Sequence, residues 1–556
     1  MTIDMKTTIH CSILRRVSLV AFHLPLLLAL VSCALDEDAR DQIPEEEAFG
    51  TAEDLYMNTV ATLYNYVGGS EDGQGLQGTC RGVYDLQTFG SDEAMLPTRG
   101  GDWYDGGLWQ HMYRHSWNAG LEPAGKAWNY LYQVITLCNH SLEQIDAHKH
   151  LLDEHQLTIY KAEVRALRAI YYWYLMDLFG NVPIIYSDVP LNQVKQSRRS
   201  EVFKYVYDEL TDVLGDLAYG HSANRGQYYG RVTRSVANFV LAKLAINAEV
   251  YTDDDWTDGV RPNGSEIFFQ TDAGRLNAWE ATVYYCNEIS FDNFKLEQDY
   301  TTNFTVYNEQ STENIWVIPM DKDLYKTQQQ NMFRSYHYRH AAAYGFTGEN
   351  GSCATLNTLR VFGYGTDSVD IRFFNNYWDE EVYDLDGQPV LDRQGQVLAY
   401  HPWEVRMDLS GSPYVETAGA RMKKYEVDRN ATKDGKLMDN DIVLFRYADV
   451  LLMRAEAYLR NGQPDLGQAD FDAVRRRSWM STRPLTMENI YDERLLELCW
   501  EGWRRQDMIR FGRYESLFQG DDHNAKVDES DAHTTVFPIP DAVMAMNHFM
   551  VQNKGY

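Results

Sequence analysis

Residues 162–184 read AEVRALRAIYYWYLMDLFGNVPI, and the apolar side chains in this run recur at helical spacing. Val164, Leu167, Tyr171, Tyr174, Leu175 and Leu178 fall three or four residues apart. A helix with so wide an apolar face must bury it against another element. Gly180-Asn181-Val182-Pro183 then ends the run, because glycine readily leaves helical φ and proline cannot continue the ladder. The same period fits 51–67, 122–147, 199–215, 233–251 and 275–290. It returns in a second block at 442–461, 465–477 and 486–511. The chain is therefore expected to be mostly α, with helices packed on helices.

Small residues mark where those helices approach closely: Ala242, Ala245 and Ala248, then Ala448, Ala455 and Ala457. Tetratricopeptide-like helical hairpins use alanine in this way, and the pattern here is a degenerate version of theirs. The hairpins are expected over about 122–291 and 441–515. Between them, 292–440 has no sustained period and is rich in Asn, Gly and Asp, with short β-prone runs such as Ile315 to Ile318. That composition predicts an irregular, loop-rich lobe with a few short strands. Residues 49–556 are read as a single domain.

The N-terminus is a targeting segment. Lys6, Arg15 and Arg16 precede an apolar stretch from Val17 to Leu30, which ends at Leu30-Val31-Ser32-Cys33. The stretch is too short to span a bilayer, which takes about 20 apolar residues. The closing tetrad resembles a bacterial lipobox, so residues 1–32 are read as a lipoprotein signal peptide and Cys33 as the lipidated residue. Several acyl chains on one cysteine anchor stably, at about 0.8 kcal/mol per buried methylene. Residues 33–48, with Asp36, Glu37 and Asp38, form an acidic, flexible tether. An acidic cluster in that place resembles the surface-export signal of Bacteroidetes lipoproteins, which implies an outer-membrane protein facing the medium. The membrane is thus met through the lipid alone.

The whole chain carries a formal charge of −30, and the signal segment contributes only positive excess, so the remainder is more acidic still. Such a surface lacks the basic patch that nucleic acid requires. Cys80, Cys138, Cys286, Cys353 and Cys499 are far apart and show no zinc spacing, so they read as buried small hydrophobes. No metal and no cofactor is expected. Asp253-Asp254-Asp255 with Asp258 lacks the spacing of a calcium loop and reads as a solvated turn.

Thirteen Trp and 38 Tyr make the chain rich in rings that present a flat apolar face and a polar edge, the chemistry that suits sugars. The densest group lies in 92–117, where Trp103 and Tyr104 sit between Gly100-Gly101 and Gly106-Gly107. Carboxylates (Asp92, Glu93, Asp102, Asp105) and Arg99 flank them, which suggests stacking rings beside groups that bind hydroxyls. Trp103, Tyr104, Trp109, Asp92 and Arg99 are the binding candidates from this segment, and Tyr113 and Trp117 read as core. A second group, Tyr336, Tyr338 and Tyr344, lies in FRSYHYRHAAAYGF at 333–346.

Glu493, Glu497 and Glu501 recur every four residues, but carboxylates on one helix face cannot flank a scissile sugar bond. With Arg504 and Arg505 close by, they read as an ion-pair network. No nucleophile elbow, HExxH or phosphate-binding Gly loop is present in the sequence, so no catalytic residues are assigned.

Four stretches in order resemble the SusD/RagB family of nutrient-binding lipoproteins: 162–184 (above), FRYADVLLMRAEAYLRNG at 445–462, YDERLLELCWEGWRRQDMIRFGRY at 491–514 and FPIPDAVMAMNHFMVQNKGY at 537–556. Lys554 stands where the family pattern has Pro. The resemblance implies a helical fold with an irregular lobe over it and a place at the cell surface. It also implies a SusC-like TonB-dependent outer-membrane transporter as partner and a captured oligosaccharide, less often a peptide, as ligand. It further implies that the 92–117 loop and the middle lobe contribute to one site. The expected function is capture of a glycan without chemistry. The alternatives are a helical-repeat scaffold for a protein or peptide partner and a surface glycan hydrolase.

Overall fold

Two helices of 26 residues open the helical stack: α1 (Glu122–Ala147), started by Pro123, and α2 (Glu154–Phe179). They belong to a computed structural model that describes residues 48–186, 189–324, 330–431, 435–515 and 531–556. Cys33, the signal segment and all of the tether but Ala48 lie outside those residues. Asp153 caps α2 in a reciprocal capping box with Gln156, and Gly180 ends it at φ +68. From Ala162 onward nearly every side chain of α2 is buried, because α1 covers one flank and α3 (Arg199–Val213) the other.

The stack continues through α4 (Arg234–Ile246) and α5 (Ala278–Ser290). Helix α5 packs on α6 (Tyr447–Arg460), which pairs with α7 (Pro464–Arg477) and touches α8 (Met487–Leu498). The two sequence blocks are thus neighbours in space, and Thr51–Tyr556 forms one compact unit. Ala242, Ala245, Ala248, Ala448, Ala455 and Ala457 are all fully buried, as close helix approach requires.

Short strands pair antiparallel in twos: β1 (Ala94–Met95) with β3 (Cys353–Ala354), β2 (Asn314–Ile318) with β6 (Ile442–Arg446), and β4 (Tyr377–Trp378) with β5 (Arg421–Met422). Strands β2 and β6 stand at the two ends of the middle lobe and are buried along their whole length. They clasp the lobe's entry and exit together beneath α4, where Phe445 stacks on Phe239 at 4.2 Å.

Several boundaries differ from the sequence reading. Residues 442–446 are strand, because they pair with 314–318 before the chain turns helical at Tyr447. The single helix expected over 486–511 is two, α8 and α9 (Arg504–Arg510). The break falls at Trp500 and Gly502, both at positive φ, where Trp500 N–H donates to the Glu93 carboxyl at 2.5 Å. The 233–251 helix is interrupted at Asn247, and 51–67 contains a π-helical turn at Met57–Ala61.

The C-terminal tail acts as a cap on α2. Asn553 Nδ2 donates to the carbonyls of Phe179 (2.9 Å) and Phe537 (2.8 Å), and Phe537 N–H donates to Leu178 (2.7 Å). The last-turn carbonyls of a helix lack partners of their own, and the tail supplies them. The five cysteines after residue 33 are free and buried. Asp254 accepts from Ser200 and Asp255 pairs with Lys554, so the acidic run is bonded within the chain. Among the described residues there is no metal-binding cluster, and no helix is long and apolar enough to cross a membrane.

The glutamates of the 491–501 segment lie inside the protein. Arg446, at the end of β6, reaches Glu313 (2.5 Å), Glu497 (2.9 Å) and Glu501 (2.8 Å). Arg372 from the lobe pairs with Glu493 (2.7 Å) and Glu497 (2.8 Å), and Lys424 with Glu501 (2.7 Å). Arg475 and Arg477 of α7 complete the network on Glu493, Glu313 and Glu497. Glu501 lies past the end of α8 and joins from the turn. Burial pushes the Glu497 carboxyl up, but Arg477, Arg446 and Arg372 together hold it well below the usual range. Its stabilising contribution is therefore present above the unfolded pKa near 4.5 and is lost as pH falls through the lower folded value. Removing one partner leaves buried charge uncompensated. Arg446→Met is expected to cost about 3–5 kcal/mol of unfolding free energy, read from the urea midpoint at neutral pH. A change under about 1 kcal/mol there would mean the network contributes little.

Candidate functional site

The loop between β1 and the first helices is held in an unusual backbone path. Arg99 and Asp102 exchange backbone hydrogen bonds (2.9 and 3.1 Å) across a tight turn that has Gly100 at φ +66. Trp103 (φ +61), Asp105 (+43), Gly106 (+67) and Gly107 (+88) then also lie in the left-handed region. Glycine adopts it freely, whereas a non-glycine residue there costs free energy that its surroundings must supply. For Trp103 they do. Its Nε1–H donates to the Glu349 carbonyl at 2.9 Å, and its ring meets Trp109 edge-on at 6.0 Å. Gly351 leaves room for it: a Cβ there would stand 2.7 Å from the Trp103 ring.

The loop and the lobe do face each other. Tyr338 O–H donates to Asp102 Oδ2 at 2.6 Å, bridging loop and lobe at the surface. Burial, and then the Asp102 carboxylate, push the Tyr338 hydroxyl up to about 12, so it stays protonated as a donor. Thr98 is tied to the lobe by backbone bonds to Met407 and Leu409, both 2.9 Å. β1 pairs with β3 just upstream.

The eight candidate residues divide into display and support. Tyr104 is 55% exposed and Tyr338 is exposed, while Trp103 is partly buried. Tyr344 is half-buried, with its hydroxyl on the Tyr383 carbonyl at 3.1 Å and its ring against His340 and Trp378. The other four are corrections to the expectation that they meet a ligand. Trp109 is 1% exposed and packs in the core on Phe89, donating to Asp105 at 2.8 Å. Asp92 is buried in an ion pair with Arg504 at 2.6 Å. Arg99 is buried too; it spends its guanidinium on the carbonyls of Gly351 (3.1 Å), Val415 (3.1 Å) and Ala418 (3.0 Å), and burial lowers its pKa to about 9. Tyr336 is fully buried and accepts from Trp378 Nε1 at 2.8 Å. Residue type suggested each of them; distant partners took Asp92 and Arg99 inside, and nearer ones Trp109 and Tyr336.

The structure also sorts the loop carboxylates and brings in one further ring. Asp102 is the loop carboxylate that meets the lobe, whereas Asp105 is turned to Trp109 and Arg81 (3.1 Å). On the same lobe Trp403, 47% exposed, lies 5.8 Å from Tyr364. Nothing in the sequence around Pro402-Trp403 distinguished this ring from a buried one.

These features define a class: a helical stack that carries an irregular lobe and presents exposed aromatics on a braced, glycine-bordered loop. Residues 312–556 match the profile of the SusD family, and residues 87–246 match one described as starch-binding, associating with outer membrane. The starch-binding protein SusD of Bacteroides thetaiotaomicron is 24% identical over 532 residues, covering 87% of each chain. SusD-like protein P25 of Formosa agariphila is 23% identical over 464 residues, covering 77% of this chain and 79% of its own. Among solved structures, a laminarin-binding SusD-like protein superposes with a TM-score of 0.65 at 21% identity, over 91% of this chain and 100% of that one. Surface glycan-binding protein A from Bacteroides thetaiotaomicron, in complex with laminarihexaose, gives 0.68 at 18% identity, over 90% and 99%. The chain belongs to the SusD family.

The brace under Trp103 is testable. Gly351→Ala is expected to cost about 1–3 kcal/mol in unfolding free energy, from forced repacking of the indole. Part of that cost should vanish in a Trp103→Ala background, the remainder coming from Leu96 Cδ2 at 2.8 Å, as thermal unfolding of the double-mutant cycle would reveal. Equal cost in both backgrounds would place the clash elsewhere.

Proposed function

We propose that this protein captures a glycan at the outer-membrane surface, held there by a lipid on Cys33, and delivers it to a SusC-like TonB-dependent transporter. Trp103 and Tyr104 supply the stacking faces, and Asp102 with Tyr338 the adjacent polar edge. Trp109 backs the Trp103 ring and Arg99 closes the turn that carries Asp102, while Asp92, Tyr336 and Tyr344 brace the surrounding core and lobe. The observation that carries this reading is the pairing of an exposed Tyr104 with a Trp103 kept in left-handed backbone by Glu349 and Gly351. A rigid aromatic platform loses little freedom when a sugar settles on it.

The named activities of the relatives support the ligand class: starch for one, laminarin and laminarihexaose for others. The profile description supports the outer membrane. Capture without chemistry is favoured because the relatives are named for binding and because Asp105, the exposed loop carboxylate besides Asp102, is engaged by Trp109 and Arg81. General acid–base catalysis on a glycoside needs two carboxyl groups free to face each other across the bond.

Tyr104→Ala removes an exposed ring without disturbing a hydrogen bond. It is expected to weaken affinity for the cognate glycan about two- to tenfold, as loss of one aromatic contact of about 0.5–1.5 kcal/mol implies. Isothermal calorimetry against a panel of polysaccharides measures it. Unchanged affinity on a glycan that the parent binds would remove the loop from the site.

A further inference from the structure

A groove of about 900 Å³ opens on another part of the molecule, built from segments that the loop site does not use. Its walls are the helical run 52–68, the 227–231 segment, the end of β2 at Ile318-Pro319 and the outer side of α1 at Gln133. The volume is that of small-ligand pockets, about 300–1,000 Å³. We infer that this groove is a second binding site for a neutral oligosaccharide.

Its tyrosines are fixed from beneath. Tyr64 O–H donates to Glu163 at 2.8 Å and accepts from Val232 N–H at 3.0 Å. Arg231 pairs with the same carboxylate through Nε at 3.0 Å, and its guanidinium lies 5.3 Å from the Tyr56 ring centre. Tyr229 O–H donates to both oxygens of Asp441, at 2.5 and 2.6 Å. Glu163 and Asp441 are almost wholly buried, so the charge below the groove is engaged inside the protein.

What faces outward is neutral apart from the Arg231 guanidinium, which is paired with Glu163. Asn65, Gln133 and Gln227 are exposed, and among the described residues their side-chain amides make no hydrogen bond. An amide shows a donor and an acceptor side by side, which matches neighbouring hydroxyls on a sugar ring. Tyr56 and Tyr66 add ring faces against which such a ring can stack. An anion would have to compete with Glu163 for Arg231, and a cation would find no carboxylate among the lining residues. An extended peptide would want strand-edge donors in register, whereas these walls are helical or irregular and Pro319 has no N–H to give. The helix lining the groove also passes through a π turn at Met57–Ala61, a local departure that often marks functional positions.

This inference rests on the chain binding glycan, but not on the loop site, and hydrogen–deuterium exchange separates the two. The probes are laminarihexaose, maltohexaose, cellohexaose and mannohexaose, with a tryptic digest of casein as the peptide arm. At least one hexasaccharide is expected to slow exchange in 56–66 and 227–231 as well as in 99–107. In Asn65→Ala/Gln227→Ala the groove protection should disappear, the loop protection remain, and groove affinity fall about tenfold, as loss of two neutral hydrogen bonds implies. Both substitutions are at exposed, unbonded side chains, so an unchanged melting temperature checks the fold. Protection confined to 99–107 overturns the second site and leaves the proposed function standing. No protection by any hexasaccharide overturns both. Groove protection by casein peptides alone makes it a peptide site instead.

Discussion

Arg446 sits where three parts of the chain meet. Its guanidinium reaches Glu313 near the start of the lobe, Glu497 in α8 and Glu501 in the turn that follows, and all four groups are buried. Arg372 and Lys424 carry the same network into the lobe, and Arg475 and Arg477 into α7. Buried ion pairs of this kind add little net stability over an apolar core, but they tolerate very few alternative arrangements. Any shift of lobe against stack would strand a charge. The relative position of the two, and hence of the Tyr338–Asp102 bridge, follows from that constraint.

Much of the helical stack was legible because its signal is local. The apolar stripe of α2, its capping box and Gly180 lie within one stretch of about thirty residues, and the expected boundary of α1 matched. What failed was non-local. Residues 442–446 carry an apolar run that periodicity cannot tell from helix, and only pairing with 314–318 makes them strand. The break between α8 and α9 depends on Glu93, some four hundred residues earlier, taking the Trp500 N–H.

The site shows the same division. That the 100–107 loop would carry aromatics was readable from its glycines and composition, and that it would meet the lobe came only from the family resemblance. Which aromatics and charges would be seen from outside was not. Asp92 and Arg99 look like ligand-binding groups in a sequence, yet Arg504 and three backbone carbonyls consume them. The exposure of Trp403 and the clearance at Gly351 likewise exist only in three dimensions. A charged residue's role is set by whichever partner reaches it first, and for these the partner lies hundreds of positions away.

The clasp of β2 and β6 brings the lobe's two ends side by side under α4, while α5 packs directly on α6 across the gap. Topologically the lobe is therefore an excursion from a helical stack that closes without it. Loops and inserts anchored at adjacent points can change length and sequence with little strain on the scaffold. Recognition can thus diversify by exchanging what lies between residues 319 and 441 while the stack stays the same. The exchange has limits: a replacement lobe must still bring cations to the positions of Arg372, Lys424 and Arg334, or Glu497, Glu501 and Asp85 are left with too few partners.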